Sequence, residues 1–273
     1  MFEKDKISVV TILDKGSRFY LTTMKSYFAQ TYQNREWIII DNTNNKVVAA
    51  RLKPYMLKNP ALKLVANEKP LSRAEILKQV LKACGGRYIA FLKPEDYWLP
   101  DKLLRQSGFM LRYNAPISHT SYAFADDKYH LLPVGCYHVK KELNMVNYSA
   151  QNPVSLSTIM FDKERISFDA SKFEEMKDFD FMMMLLVNGF VSSGMSDVLT
   201  LCRPIFDKKV RRKIEEILHQ YTSESQVDKM VSLRILEHYS FQALNIASLS
   251  LDPAVCISYD VVDGLNKLRN FKI

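Results

Sequence analysis

Glycine is scarce in this chain, with 8 residues among 273, and no Gly-x-Gly-x-x-Gly follows its first apolar segment. A dinucleotide-dependent dehydrogenase would lack its phosphate-binding turn, and the absence of a Gly-x-x-x-x-Gly-Lys loop removes a P-loop enzyme in the same way. Long hydrophobic runs are missing as well. The longest, Phe181 to Val187, covers seven residues, whereas a helix that crosses a bilayer needs about 20. The opening Met-Phe-Glu-Lys-Asp-Lys leads into Ile7 to Leu13 without the small-residue cleavage site of a signal peptide, which predicts a cytoplasmic protein. Five histidines never fall into a His-x-x-x-His or His-Glu-x-x-His pattern, so none is expected to hold a metal. No Gly-x-Ser-x-Gly elbow marks a serine hydrolase. Cys84, Cys136, Cys202 and Cys256 lie far apart; without a Cys-x-x-Cys pair they read as buried structural thiols in a reduced compartment.

What the chain does have is an ordinary globular composition, 47% hydrophobic and 25% charged, enough to bury a core without a disulfide scaffold. Its formal net charge of +8 favours anionic partners: nucleic acid, acidic lipid headgroups or a phosphorylated substrate. No nucleic-acid-binding motif accompanies that charge, so nucleic acid ranks last.

Ile7 to Leu13 is a β-branched apolar run of the kind buried on both faces of a sheet. Ser17 to Gln30 then carries Phe19, Leu21, Met24, Tyr27 and Phe28 at helical spacing. Trp37 to Ile40 is a second buried strand, ending in the polar loop Asp41-Asn42-Thr43-Asn44-Asn45. A helix over Lys46 to Lys58, a strand Leu62 to Val65, a helix Arg73 to Cys84 closed by Gly85-Gly86, and a strand Tyr88 to Leu92 continue the alternation. Such alternation predicts a largely parallel sheet with ligands at the carboxyl ends of its strands. Asp41-Asn42 and Lys93-Pro94-Glu95-Asp96 then share one rim. Beyond Pro100 the pattern predicts a helix Asp101 to Arg112, short strands or a hairpin within Ile117 to Val139 with turn residues Asp126-Asp127, and a strand Val154 to Phe161. A helix Phe173 to Asn188, a short strand Val198 to Cys202, and further helices from Lys208 complete the reading. The expected fold is α/β: a mostly parallel central sheet flanked by helices over 1–205, with a helical C-terminal extension over 206–273.

Four segments occur in a telling order: Ile7 to Leu13, Phe28-Ala29-Gln30-Thr31-Tyr32-Gln33-Asn34, Trp37 to Asn42, and Gly86 to Pro100. As a set this resembles the family 2 inverting glycosyltransferases with the GT-A fold, especially bacterial enzymes that build surface polysaccharides. The resemblance covers about residues 7–205, and Ser157 to Phe161, Lys177-Asp178-Phe179-Asp180 and Leu201-Cys202-Arg203 look like that family's acceptor-side half. It implies a nucleotide-binding half over about 1–115 and an acceptor half over about 116–205. The implied activity moves a sugar from a nucleotide diphosphate, a UDP-sugar foremost, to a hydroxyl of a saccharide or lipid-linked glycan with inversion. The rival is a catalytically weakened domain of this fold, acting as a nucleotide-binding or assembly subunit.

The resemblance also assigns roles. Thr11, Ile12 and Leu13 would lie beside the base, and Asp41 and Asn42 would recognise the base or its ribose, where family members usually carry two aspartates. Lys93-Pro94-Glu95-Asp96 stands in place of Asp-x-Asp, whose carboxylate holds the Mn²⁺ or Mg²⁺ that neutralises a leaving diphosphate. Glu95 takes the metal-ligand position, while Lys93 either pairs with Glu95 or meets the diphosphate as a fixed cation. Asp178 matches the general base, with Lys177 where a glutamate is usual. Asp180 and Arg203 would contact the acceptor or a phosphate. Each has a plainer reading: Asp178 and Asp180 as helix-start acids, Arg203 in a surface ion pair. Tyr97 and Trp98 either stack on a ligand or anchor packing, and Met182-Met183-Met184 reads as core. Finally, Lys208-Lys209-Val210-Arg211-Arg212-Lys213 precedes Ile214, Ile217, Leu218 and Tyr221. That segment either rests on an anionic inner leaflet or is a solvated face.

Overall fold

Strand β1 (Glu3–Leu13) lies at the centre of a parallel array because its apolar residues need cover on both faces. In the computed structural model the described residues are 3–14, 21–43, 46–126, 128, 130–148, 154–166, 181–203 and 259–272. Strands β2 (Arg35–Asp41), β3 (Leu62–Ala66) and β4 (Gly86–Phe91) join β1 in the order β3-β2-β1-β4, all parallel. Helices α1 (Leu21–Phe28), α2 (Lys46–Lys58) and α3 (Arg73–Ala83) connect them, as the alternation predicts. Register pairs Ile12 with Ile40 and Leu13 with Asp41, so the first two strands end side by side.

Alternation along these strands fills two cores. Val10, Ile38, Ile40, Ile89 and Phe91 pack to one side with Ile76 and Val80 of α3, whereas Val9, Trp37, Ile39 and Ala90 pack to the other with Met24 and Tyr27 of α1. Helix α3 begins with a reciprocal cap, the Ser72 hydroxyl accepting from the Glu75 N–H while the Glu75 carboxylate accepts from the Ser72 N–H. Gly86 serves close approach rather than a left-handed helix end, since a Cβ there would lie 2.6 Å from the Lys6 carbonyl oxygen.

Beyond β4 the sheet is mixed. It continues through β5 (Tyr97–Trp98), β6 (Ile117–Ala125), β7 (Leu131–Tyr137), β8 (Glu142–Leu143), β9 (Met160–Asp162) and β10 (Ser192–Cys202). The full order is β3-β2-β1-β4-β9-β6-β10-β5, with β7 on β6 and β8 on β10. Only β6 with β10 is parallel there; β9 runs antiparallel to both β4 and β6. A mostly parallel sheet is therefore correct for the first four strands alone. The strand expected over Val154 to Phe161 is instead a 3₁₀ turn, Leu156–Thr158, followed by β9, because the Thr158 and Ile159 N–H groups bond back to Ser155 and Leu156. The last strand starts at Ser192, six residues before the expected Val198. Helices α4 (Lys102–Arg112), α5 (Phe181–Val187) and α6 (Tyr259–Asn270) complete the described elements. Residues 173–180 of the expected Phe173 to Asn188 helix, and residues 206–258 of the extension, lie outside the described residues. Cys84 and Cys202 are buried free thiols, as expected, whereas Cys136 is disulfide-bonded, which was not. Among the described residues no helix is long and apolar enough to cross a membrane.

Candidate active site

At the carboxyl rim of β1 and β4 lies a cavity of about 240 Å³. Asp14, Lys93 and Glu95 supply its charged lining, and Ile12, Pro94, Phe91, Leu156 and Phe181, with Ile76, Leu77 and Val80 of α3, its apolar lining. Strand geometry sorts the residues expected beside a base, because successive side chains point to opposite faces. Ile12 lines the cavity. Thr11 points away, its hydroxyl donating to the Leu92 carbonyl at 2.7 Å and accepting from the Trp37 indole at 2.9 Å, and Leu13 is buried in the core. Asp14, two residues past Ile12 and on its face, is the carboxylate that sequence reasoning missed; that spacing was the available signal.

The loop after β2 faces inward. Asn42 Nδ2 donates to Asp14 Oδ1 at 2.9 Å and to the Leu71 carbonyl at 3.2 Å, while Asn42 Oδ1 accepts from Leu71 N at 2.7 Å and Asn67 Nδ2 at 3.3 Å. An amide can make four such bonds, and all four are made to protein. Asp41 Oδ1 caps its own loop, accepting from the Thr43 N–H and hydroxyl. Asn42 thus fixes Asp14 and the approach to α3.

After β4 the chain behaves differently. Lys93 Nζ sits 2.5 Å from Glu95 Oε1, which is the pairing the sequence left as one of two alternatives. Burial lowers the proton affinity of Lys93, but the Asp96 and Glu95 charges outweigh it and raise the net pKa. Burial, then Asp96, push the Glu95 carboxyl up despite the counteracting Lys93. Asp96 is wholly buried and accepts from the Ser157 hydroxyl at 2.6 Å and from the Arg203 N–H at 3.0 Å. Ser157 accepts in turn from Lys93 N at 3.0 Å, and its carbonyl accepts from the Trp98 indole at 2.7 Å. Asp96 and Ser157 therefore tie the loop after β4 to the end of β10, a knot no motif announced.

Arg203 is buried, its guanidinium donating to the Thr22 hydroxyl and standing 5.8 Å from the Tyr97 ring centre. That burial sets aside the surface position of its plainer reading. Tyr97 and Trp98 are fully buried, so they anchor packing, and Met182 and Met184 are core. Gln30 explains why two of the ordered segments travel together: its side chain donates to Leu99 O and accepts from Leu103 N, and Thr31 N donates to Pro100 O. Asp178, Asp180 and Lys208 to Lys213 lie outside the described residues.

A divalent ion finds poor accommodation in this rim. Among the described residues no group of three His, Cys, Asp or Glu side chains converges to hold one. Glu95 is engaged by an ammonium and Asp96 by Ser157 and the Arg203 backbone.

Comparison with known proteins agrees with this layout. The family model described as Glycosyl transferase family 2 matches residues 10–161, from β1 through β9. The UDP-Glc:alpha-D-GlcNAc-diphosphoundecaprenol beta-1,3-glucosyltransferase WfaP of Escherichia coli is 24% identical over 253 residues, 90% of this chain and 88% of that protein. S. aureus TarS 1-349 in complex with UDP-GlcNAc superposes with a TM-score of 0.56 at 13% identity, over 87% of this chain and 73% of that one. The mannosyltransferase PcManGT from Pyrobaculum calidifontis, in complex with GDP-Man and Mn²⁺, superposes with a TM-score of 0.51 at 12% identity, over 97% of this chain and 79% of that one. Likeness to these two structures establishes the fold.

Proposed function

Because this chain belongs to glycosyl transferase family 2, we propose that it transfers a sugar from a nucleoside diphosphate donor, a UDP-sugar foremost, to a hydroxyl of a saccharide or lipid-linked glycan. The observation that carries this reading is the cavity at the carboxyl ends of β1 and β4, where Asp14, Lys93 and Glu95 meet an apolar wall. Polar groups converging on an otherwise apolar pocket at this rim of an α/β sheet suit a ligand with an anionic end and a less polar body. WfaP, a glucosyltransferase acting on a diphosphoundecaprenol-linked sugar, supports a lipid-linked acceptor, and the likeness to the putative teichuronic acid biosynthesis glycosyltransferase TuaG of Bacillus subtilis, 26% identical over 199 residues, supports a place in surface-polysaccharide synthesis.

In the proposed step the acceptor oxygen attacks the anomeric carbon from the face opposite the diphosphate. The bond from that carbon to the phosphate oxygen breaks, and the nucleoside diphosphate leaves with the electron pair. The hydroxyl proton passes to a carboxylate, for which Asp178 is the candidate; Asp180 and Arg203 would orient the acceptor or a phosphate. Reaction at the cytoplasmic face of the membrane, with Lys208 to Lys213 on anionic lipid, completes the proposal.

The test is Asp178→Asn, which keeps size and removes basicity. Nucleotide binding persists and transfer falls about 10²–10⁴-fold, measured as labelled sugar moved from UDP-sugar to lipid-linked acceptor. Undiminished transfer removes Asp178 as the base. Tight nucleotide binding by the unmodified protein without turnover on any acceptor favours the binding-subunit reading.

A further inference from the structure

We propose that the Lys93 ammonium, held by Glu95 on the cavity wall, is the resident cation for the donor diphosphate and takes the place of a divalent metal ion. The inference rests on the donor reading above and goes beyond it by naming what neutralises the leaving group.

Three observations carry it. First, the pair is oriented: the Lys93 side chain is 39% exposed and that of Glu95 7%, so the ammonium is the member nearer to an entering ligand. An ammonium has three N–H donors. Glu95 Oε1 takes one, at 2.5 Å, which leaves two for phosphate oxygens while the carboxylate keeps the lysine in place. Second, the loop beneath it is fixed. Lys93 N donates to Ser157 Oγ, which donates to the buried Asp96, which accepts from the Arg203 N–H. A cation on such a frame needs no reorganisation when charge develops on the leaving oxygen. Third, the same contacts weigh against a dication. Any ion that Glu95 coordinated would sit beside the ammonium and be repelled by it, and Asp96 has both oxygens engaged by protein.

The experiment measures binding of UDP, GDP and uridine to the full chain by calorimetry, once in EDTA and once in Mn²⁺. The expected result for the unmodified protein is a UDP affinity that differs less than about threefold between the two buffers. Lys93→Met weakens UDP about ten- to a hundredfold and leaves uridine unchanged, because uridine has no phosphate to lose its partner. Glu95→Gln separates the two views most sharply. It frees the ammonium, so UDP binding in EDTA is retained or tightened, whereas loss of a metal ligand would abolish Mn²⁺-dependent binding. If Lys93→Met fails to fold, Lys93→Met with Glu95→Gln removes both charges together and carries the same prediction for UDP.

UDP binding that is lost in EDTA, restored by Mn²⁺ and abolished by Glu95→Gln overturns the inference and leaves the proposed function standing. A folded Lys93→Met protein that binds UDP as the unmodified one does overturns it equally. No binding of UDP or GDP in either buffer removes the donor reading and this inference with it.

Discussion

The loops that follow β2 and β4 stand on either side of the end of β1, each after a strand of buried apolar residues, and each offers an acid together with a nitrogen-bearing side chain. In the β2 loop, Asn42 makes four hydrogen bonds to the protein and Asp41 closes its own turn. In the β4 loop the labour is divided, with Asp96 bonded to Ser157 and Arg203 while Lys93 and Glu95 line the cavity. Polar residues at a strand end thus fall into two kinds, those that build the rim and those that face the ligand. Their exposure and bonding separate them; their chemistry in sequence does not.

The comparison can be broken most forcefully at Asp96. Asp96→Ala leaves the Arg203 N–H and the Ser157 hydroxyl without their buried acceptor, and the expected cost is about 4 kcal/mol, read from the denaturant midpoint. A loss below ~1 kcal/mol would show that Asp96 does not hold the two halves of the sheet together.

Asn42→Ala comes next, at about 2–3 kcal/mol for the bonds to Asp14, Leu71 and Asn67. Asn42→Asp, which restores the residue usual in the family, is also destabilising because it sets a carboxylate against Asp14. If Asn42→Ala instead weakens UDP with stability unchanged, the loop belongs to the ligand after all. The measurement is thermal denaturation with and without UDP.

Lys102 sharpens the contrast from the opposite side. This lysine is fully buried, its Nζ 3.8 Å from the Trp98 ring centre and without a hydrogen-bond partner among the described residues. Burial drives its pKa well below the ordinary lysine range. The unfolded chain therefore binds the extra proton, and stability rises with pH through the window below the unfolded value of about 10.4. Lys102→Met is expected to stabilise by about 1–2 kcal/mol at neutral pH and to flatten that rise, as denaturant titrations at neutral and alkaline pH would show.

The smallest effect on stability belongs to the cavity pair. Lys93→Met with Glu95→Gln removes both charges of a partly solvated ion pair, and the expected change is under about 1 kcal/mol. A large loss would place Lys93 and Glu95 among the residues that build the rim.

Much of the fold was legible because periodicity reports directly on burial. Trp37 to Ile40 is apolar without interruption since β2 has a core on each face, and helix α2 keeps its expected bounds, Lys46–Lys58, even with Pro54 inside. The segment Val154 to Phe161 misled for the same reason: it is apolar enough for a strand, but its middle is a turn whose Ser157 hydroxyl donates to Asp96 and accepts from the Lys93 N–H. Candidate site residues fared according to where their partners lie. Lys93 and Glu95 are two apart and close on each other, so their pairing was foreseeable; the partners of Asn42 are 25 to 29 residues away, and Asp96 meets Arg203 across 107.

By itself the sequence determined the α/β class, the parallel sense of the first four strands and the rim on which the polar loops sit, because hydrophobic alternation and strand-to-helix succession are local properties of the chain. Only the tertiary structure decided which of those polar groups remain free. Hydrogen bonding saturates, and whether Asn42 or Asp96 has an atom left for a ligand depends on Asp14, Leu71, Ser157 and Arg203, brought to them by the packing of distant strands.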